Sequence, residues 1–188
     1  MKSRATNGSP ATTAEIAQAT RYSLYAKGHT TVIDRFTMPN WGECDILSLT
    51  DSLYAYEYEI KISRQDFKHD LEKPKHGIMA CGGHFMSEGW LPSYFSYVVP
   101  LHMISVEDVP HYAGLYYYSG INQLYEVRKP IQLNKEPVGV DFLKRLTEAY
   151  TRQNLLKDPV TGPLVRERMY HVGRNPNSYR RRSAKKPA

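Results

Sequence analysis

A short run in the first third of the chain combines acidic and basic side chains at spacings that suit metal-dependent chemistry. Residues 54–62 alternate between apolar and charged types, which is the pattern of a half-buried β-strand. Glu57, Glu59 and Lys61 share one face of this predicted strand, and tyrosine and isoleucine side chains share the other. Removing carboxylates and an ammonium group from water is costly unless they have partners of opposite charge. A divalent metal ion could be the partner of the carboxylates, and a phosphate could be the partner of the ammonium group.

Asp45 belongs to a second predicted strand, residues 44–49, which precedes the first along the chain. The polar residues 50–52 separate the two runs and form a turn of hairpin length. A hairpin would bring Asp45 close to Glu59 and Lys61, although the pattern leaves the strand register open. The expected site is therefore an acidic residue on one strand facing a Glu-x-Lys sequence on the next.

The order of Asp45 followed by Glu59-Ile60-Lys61 resembles the PD-(D/E)xK nuclease superfamily. Its continuation to Phe67, Glu-x-Lys-x-Ser-Arg-x-Asp-Phe, is similar to phage and bacterial MmcB-like DNA-repair nucleases. Those proteins tend to have a later strand that ends in Val-Val-Pro or Ala-Val-Pro, and Tyr97-Val98-Val99-Pro100 matches it. The resemblance covers about residues 12–130, and the long string is much more specific than Glu-x-Lys alone.

The resemblance implies an α/β fold with a restriction-endonuclease-like core, in which a central mixed β-sheet is flanked by helices. It implies Mg²⁺ as cofactor, with Mn²⁺ as a substitute, held by Asp45, Glu59 and the backbone carbonyl of Ile60. Lys61 would orient or help to deprotonate the attacking water, or stabilise charge that develops on the phosphate.

A further acidic ligand is often needed for a second metal ion or for positioning, and three residues compete for this role. Glu15 on the first predicted helix matches the helical glutamate of many superfamily members, so the resemblance favours it as a catalytic residue. Glu43 lies two residues before Asp45, and Glu57 lies two residues before Glu59.

Basic residues follow the predicted catalytic strand and could bind the nucleic-acid backbone. Ser63 is a plausible helix N-cap with Asp66 at the third helical position, and Arg64 could clamp a phosphate through its planar guanidinium. The alternative is a solvated helix face whose charge is balanced by Asp70 and Glu72. The candidate nucleic-acid-binding residues here are Arg64, Lys68, Lys73 and Lys75.

His76, Cys81 and His84, with Cys44 as a fourth ligand, are the residues that a zinc site would use. Their spacing lacks the paired Cys-x₂-Cys that makes a zinc prediction strong. We therefore expect surface histidines in a glycine-rich loop.

Charge is unevenly distributed along the 188 residues, which carry a formal net charge of +6. Residues 164–188 hold eight basic side chains and one acidic one, so this basic tail points to DNA or another polyanion as partner. The alternative is that this tail is a solvated chain end that does not bind a partner. Arg180, Arg181 and Arg182 are its candidate nucleic-acid-binding residues.

The expected organisation is a flexible N-terminus over residues 1–11, a nuclease-like domain over residues 12–163 and the basic tail over residues 164–188. Helices are expected over residues 12–27, 63–72 and 140–156, strands over 30–36, 44–49, 53–62 and 94–99, a hairpin over 114–127, and an irregular segment over 77–92.

The sequence thus predicts a metal-dependent nuclease that hydrolyses DNA, with a non-cleaving nucleic-acid-binding protein of the same fold as the alternative. The absence of a signal peptide or spanning apolar run, and only two cysteines, favour the cytoplasm of a bacterial cell and no membrane partner. Dimers are common among the relatives, so a homodimer is a further expectation.

Overall fold

Six strands form one mixed β-sheet in which spatial order follows chain order. The β1–β2, β2–β3 and β5–β6 pairs are antiparallel, whereas β3–β4 and β4–β5 are parallel. This computed structural model confirms the predicted α/β class with a central mixed sheet, and it describes residues 11–38, 41–82, 90–120 and 123–155. The strands are β1 His29–Met38, β2 Gly42–Thr50, β3 Ala55–Ile60, β4 Tyr94–Pro100, β5 Gly114–Tyr118 and β6 Leu124–Arg128.

The helices among the described residues are α1 Thr13–Ala26, α2 Arg64–Leu71, α3 Pro74–Ala80 and α4 Val140–Leu155. The first begins with the capping box that its sequence predicts. Thr12 Oγ1 accepts a hydrogen bond from the Glu15 backbone N, and a Glu15 carboxylate oxygen accepts one from the Thr12 backbone N. It ends before Gly28, whose φ of +87° suits glycine.

The alternation of β3 divides its side chains between two faces of the sheet. Tyr58 and Ile60 pack against Ile16 and Leu24 of α1 in the apolar core. Glu57 and Glu59 instead contact Lys75 of α3, on the other face. The apolar and charged faces that the sequence predicts for this strand are both confirmed.

Pro74 begins a further helix, α3, after α2 has ended at Leu71. Pro74 occupies the first turn of α3, where its missing N–H would have no helical partner in any case. The predicted irregular segment is therefore wrong for Gly77 to Ala80, which are helical, and residues 83–89 lie outside the described residues. The consequence is that Lys75 and His76 lie on a helix that packs against the sheet.

The chain divides into two units, Met1–Val140 and Asp141–Ala188. The sheet and α1 to α3 belong to the first unit, and the described part of the second is the body of α4. The predicted boundary at residues 163/164 and most of the predicted flexible N-terminus lie outside the described residues. Within the described ranges, no helix is both long and apolar enough to cross a membrane.

Candidate active site

Near the beginning of β2 and the end of β3, a hydrogen bond to a side chain takes the place of the backbone hydrogen bonds between the two strands. The ladder runs from Leu49 opposite Ala55 to Ile46 opposite Tyr58. Beyond it, an Asp45 carboxylate oxygen accepts a hydrogen bond from the backbone N of Ile60 at 2.7 Å. Asp45 therefore lies beside the Glu59-Ile60-Lys61 segment, as the hairpin prediction required.

Asp45 and Glu59 are electrostatically coupled. Burial, followed by the negative charge of Glu59, raises the pKa of Asp45 to about 6, although the hydrogen bond from Ile60 and the charge of Lys61 act in the opposite direction. A like charge can raise a carboxyl pKa in this way only when the two groups are near each other. The strand ends thus hold two mutually repelling acids, a condition that a bound cation would relieve.

Lys61 is fixed between two carboxylates at the end of the same strand. Its Nζ lies 2.8 Å from a Glu59 carboxylate oxygen and 3.0 Å from one of Asp70. Its backbone N donates to the carbonyl oxygen of Val98 at 3.1 Å, which continues the alignment of this segment with β4. Burial alone would lower the pKa of Lys61, but Glu59 and Asp70 raise it above its ordinary value, so the side chain is an ammonium group.

Lys75 bridges the two glutamates of β3 from α3. Its Nζ lies 2.7 Å from a Glu57 carboxylate oxygen and 2.6 Å from a Glu59 carboxylate oxygen. The other Glu57 oxygen accepts a hydrogen bond from Trp41 Nε1 at 2.7 Å. Glu57 is 0% exposed and Lys75 is 3% exposed, so these contacts are shielded from water.

Asp70 of α2 is a buried charge that joins the site to a network of aromatic side chains. Besides Lys61, its carboxylate lies 2.6 Å from the Nζ of Lys73 and 3.0 Å from His76 Nε2, and it accepts a hydrogen bond from the Tyr97 hydroxyl at 2.8 Å. His76 Nδ1 is in turn 2.7 Å from the Tyr112 hydroxyl. Burial would raise the pKa of Asp70, but the hydrogen bonds from His76 and Lys73 and the charge of Lys61 hold it well below its usual range.

The competing third acids lie in three different environments. Glu15 is exposed, and its carboxylate is used in the α1 capping box with Thr12. Glu43 is exposed near the start of β2, and Glu57 is committed to Lys75 and Trp41. The structure brings Asp45, Glu59 and Lys61 together, and it gives Glu15 a capping contact in place of the expected catalytic one.

Only some of the basic residues predicted to bind nucleic acid after β3 are exposed to solvent. Arg64 and Lys68 are exposed. The pKa of Asp108 is lowered mainly by hydrogen bonds from Ser105, and the charges of Arg64 and Lys68 contribute to the same shift. Lys73 is exposed over 47% of its side chain. The prediction that Lys75 binds nucleic acid is wrong, because its ammonium group is buried in ion pairs and cannot contact a nucleic-acid backbone. Arg180, Arg181 and Arg182 lie outside the described residues.

The prediction that His76 is a surface residue in a loop is also wrong, since it is buried on α3. Cys44 is buried and its thiol donates to the carbonyl oxygen of Phe36, whereas Cys81 is exposed. His84 lies outside the described residues. In the ranges that the structure describes, no group of three or more His, Cys, Asp or Glu side chains is arranged to hold a metal ion.

The donors at the strand ends fit one hard divalent cation. Asp45 and Glu59 supply carboxylates, and the carbonyl of Ile60 lies in the backbone between Glu59 and Lys61. Mg²⁺ commonly uses one or two carboxylates and keeps several waters, so a larger cluster of acids is not required. Both Glu59 oxygens already bind lysine, but each carboxylate oxygen has two lone pairs, which leaves capacity for a cation.

Sequence reasoning missed Asp70 and Trp41 as parts of this site. The available signal for Asp70 was its spacing from Phe67, because residues three apart share a helix face and Phe67 marks the buried one. A charged residue on the apolar face of a helix needs a buried partner. Trp41 gave no comparable signal, because it precedes β2 and approaches Glu57 only in the folded chain.

No protein-family model matches the chain, and no curated protein matches it. Among solved structures, the chain is similar to the SPO1766 protein of unknown function from Silicibacter pomeroyi. The two share 20% sequence identity with a TM-score of 0.59, over 82% of this chain and 95% of that one. At this identity, the likeness shows a shared fold.

Proposed function

We propose that this protein is a Mg²⁺-dependent nuclease that hydrolyses phosphodiester bonds in DNA, in phage or bacterial DNA processing or repair. The observation that carries the proposal is the meeting of Asp45, Glu59 and Lys61 where β2 and β3 stop pairing. The PD-(D/E)xK resemblance predicts these same three residues. The cytoplasm of a bacterial cell is the proposed location.

Each residue has a task that its contacts suit. Asp45 and Glu59, with the carbonyl of Ile60, would hold Mg²⁺, which when bound neutralises phosphate charge and lowers the pKa of water. Lys61 is ion-paired with two carboxylates, so its positive charge is fixed in place before substrate arrives. A preorganised charge of this kind stabilises negative charge that develops on the attacked phosphate.

The exposed basic residues support a polyanionic substrate. Arg64 and Lys68 are exposed on the helix that begins just after Lys61, so they could contact phosphates next to the one that is cleaved. The basic tail would add affinity that does not depend on sequence.

The decisive experiment measures cleavage of plasmid and branched DNA with Mg²⁺ or Mn²⁺ and with EDTA. Glu59→Gln should abolish metal-dependent cleavage because a ligand is lost, and Lys61→Met should reduce the rate about 10²-fold or more because the fixed charge is lost. Lys135→Met, which removes an exposed lysine, is the matched control. Undiminished cleavage by both site variants, with the control equally active, would remove the assignment.

One observation favours a non-cleaving nucleic-acid-binding protein as the second candidate. Glu59 is only 2% exposed, and both of its oxygens bind lysine ammonium groups. A site closed by internal ion pairs could keep the fold without the chemistry. The same assay separates the two functions, since the second predicts salt-dependent DNA binding and no cleavage with either metal.

A further inference from the structure

We infer that the active site takes one divalent cation per chain, because the ammonium group of Lys75 occupies the position between Glu57 and Glu59 that a second cation would need. This inference rests on the proposed metal-dependent function. It assigns Lys75 as a positioning residue and decides between a one-metal and a two-metal site.

The contacts of Lys75 are those of a resident cation. Its Nζ lies within 2.7 Å of carboxylate oxygens from both Glu57 and Glu59, so it bridges two acids as a metal ion would. It is also 5.4 Å from the centre of the Phe95 ring, which packs against the same ammonium. The side chain is 2% exposed, so water does not compete for these contacts.

Glu57 is fully enclosed by protein, so its carboxylate has no space beside Lys75 for a second metal ion and its waters. One oxygen binds Lys75 and the other accepts the hydrogen bond from Trp41, and the residue is 0% exposed. A cation that used Glu57 as a ligand would have to displace the ammonium and leave it buried without a partner. Stranding a buried charge in this way is strongly unfavourable.

Charge balance favours a site for a single cation, at Asp45. The carboxylates of Glu57, Glu59 and Asp70 are matched by the ammonium groups of Lys61, Lys73 and Lys75. Among the ion pairs of the described residues, none involves Asp45, whose carboxylate therefore adds negative charge to a balanced cluster. Asp45 is also more exposed than Glu59, so a cation would enter from its side.

The test counts Mn²⁺ ions bound to the full-length protein, by the loss of the free Mn²⁺ signal in electron paramagnetic resonance during a titration. The wild type should bind one Mn²⁺ at saturation, and Asp45→Asn should bind it at least about tenfold more weakly, since a charged ligand is lost. Lys75→Met should take up a second Mn²⁺, because Glu57 and Glu59 then lack their resident cation. Lys135→Met, the same substitution at an exposed position, should still bind one.

The double variant Glu57→Gln/Lys75→Met guards against failure of the single variant to fold, since it removes one charge of each sign. It should bind one Mn²⁺, because the second position needs Glu57. Two Mn²⁺ per wild-type chain, or one in a folded Lys75→Met, would overturn the inference while cleavage and the proposed function stand. No Mn²⁺ bound to the wild type, with no metal-dependent cleavage, would overturn both.

Discussion

Asp70 has more polar contacts in the buried network than Asp45, Glu59 or Lys61, the residues predicted from the motif. It contacts Lys61, Lys73, His76 and Tyr97 while being only 1% exposed. Its carboxylate ties the proposed catalytic lysine to α2, α3 and β4 at once. We therefore expect both the stability of the fold and the position of Lys61 to depend on this carboxylate.

We expect Asp70→Asn to lower the free energy of unfolding by about 3–5 kcal/mol, because it removes one partner from a buried ion-pair network. Urea denaturation followed by circular dichroism measures the change. Asp141→Asn is the matched control, since that carboxylate is 94% exposed and its ion pair with Lys144 should contribute less than about 1 kcal/mol. Equal stability of the two variants would show that the Asp70 network contributes little.

The residues that the sequence could identify are those whose chemistry shows in local spacing. Glu59 and Lys61 alternate along one strand, so their shared face follows from the pleat alone. Lys75 could not be placed in the same way, because its position depends on where α3 begins and how that helix packs. Its charge and its neighbours along the chain are equally consistent with a solvated surface.

At the scale of elements, strands were predictable and one helix was not. The hairpin of β2 and β3 follows from two alternating runs and a polar turn, and the structure confirms it. The predicted helix over residues 63–72 does end before Pro74, since α2 stops at Leu71, as expected of a residue that disrupts helix interiors; Pro74 then occupies the first turn of α3, to which proline is also suited. Its local pattern does not indicate that a second helix follows the proline, so α3 was not predicted.

The junction of β4 and β5 depends on a glycine. A Cβ atom at Gly114 would lie 2.5 Å from Ser96 Oγ and 2.8 Å from Pro130 Cδ. We therefore expect Gly114→Ala to lower the free energy of unfolding by about 1–3 kcal/mol through overpacking, as measured by urea denaturation.

Gly77→Ala is the control for this substitution, because a Cβ atom there has nothing within 4 Å and the residue lies inside α3. That change should raise stability by about 0.5–1 kcal/mol, since alanine loses less backbone entropy in a helix. If both alanine variants are stabilised, the close approach at Gly114 does not constrain the sheet.

At the scale of the whole molecule, the topology explains why charged helices cover the site. Parallel pairing of β3 with β4 requires a crossover that returns the chain over one face of the sheet. The crossover here contains α2 and α3, so their side chains cover the face that carries Glu57 and Glu59. Asp70 and Lys75 thus reach the site through a connection that the sheet itself demands.

The uneven charge of the chain leads to a prediction about DNA binding that is separate from catalysis. Residues 164–188 carry eight basic side chains and one acidic one, and each phosphate that they neutralise releases counterions. Replacing Arg180, Arg181 and Arg182 together by alanine should reduce the slope of log K against log salt concentration by up to about 2.7 on duplex DNA. Fluorescence anisotropy at several salt concentrations measures this slope. The triple lysine variant, which keeps the charge, should retain the wild-type slope, and an unchanged slope in the alanine variant would show that these arginines do not contact DNA.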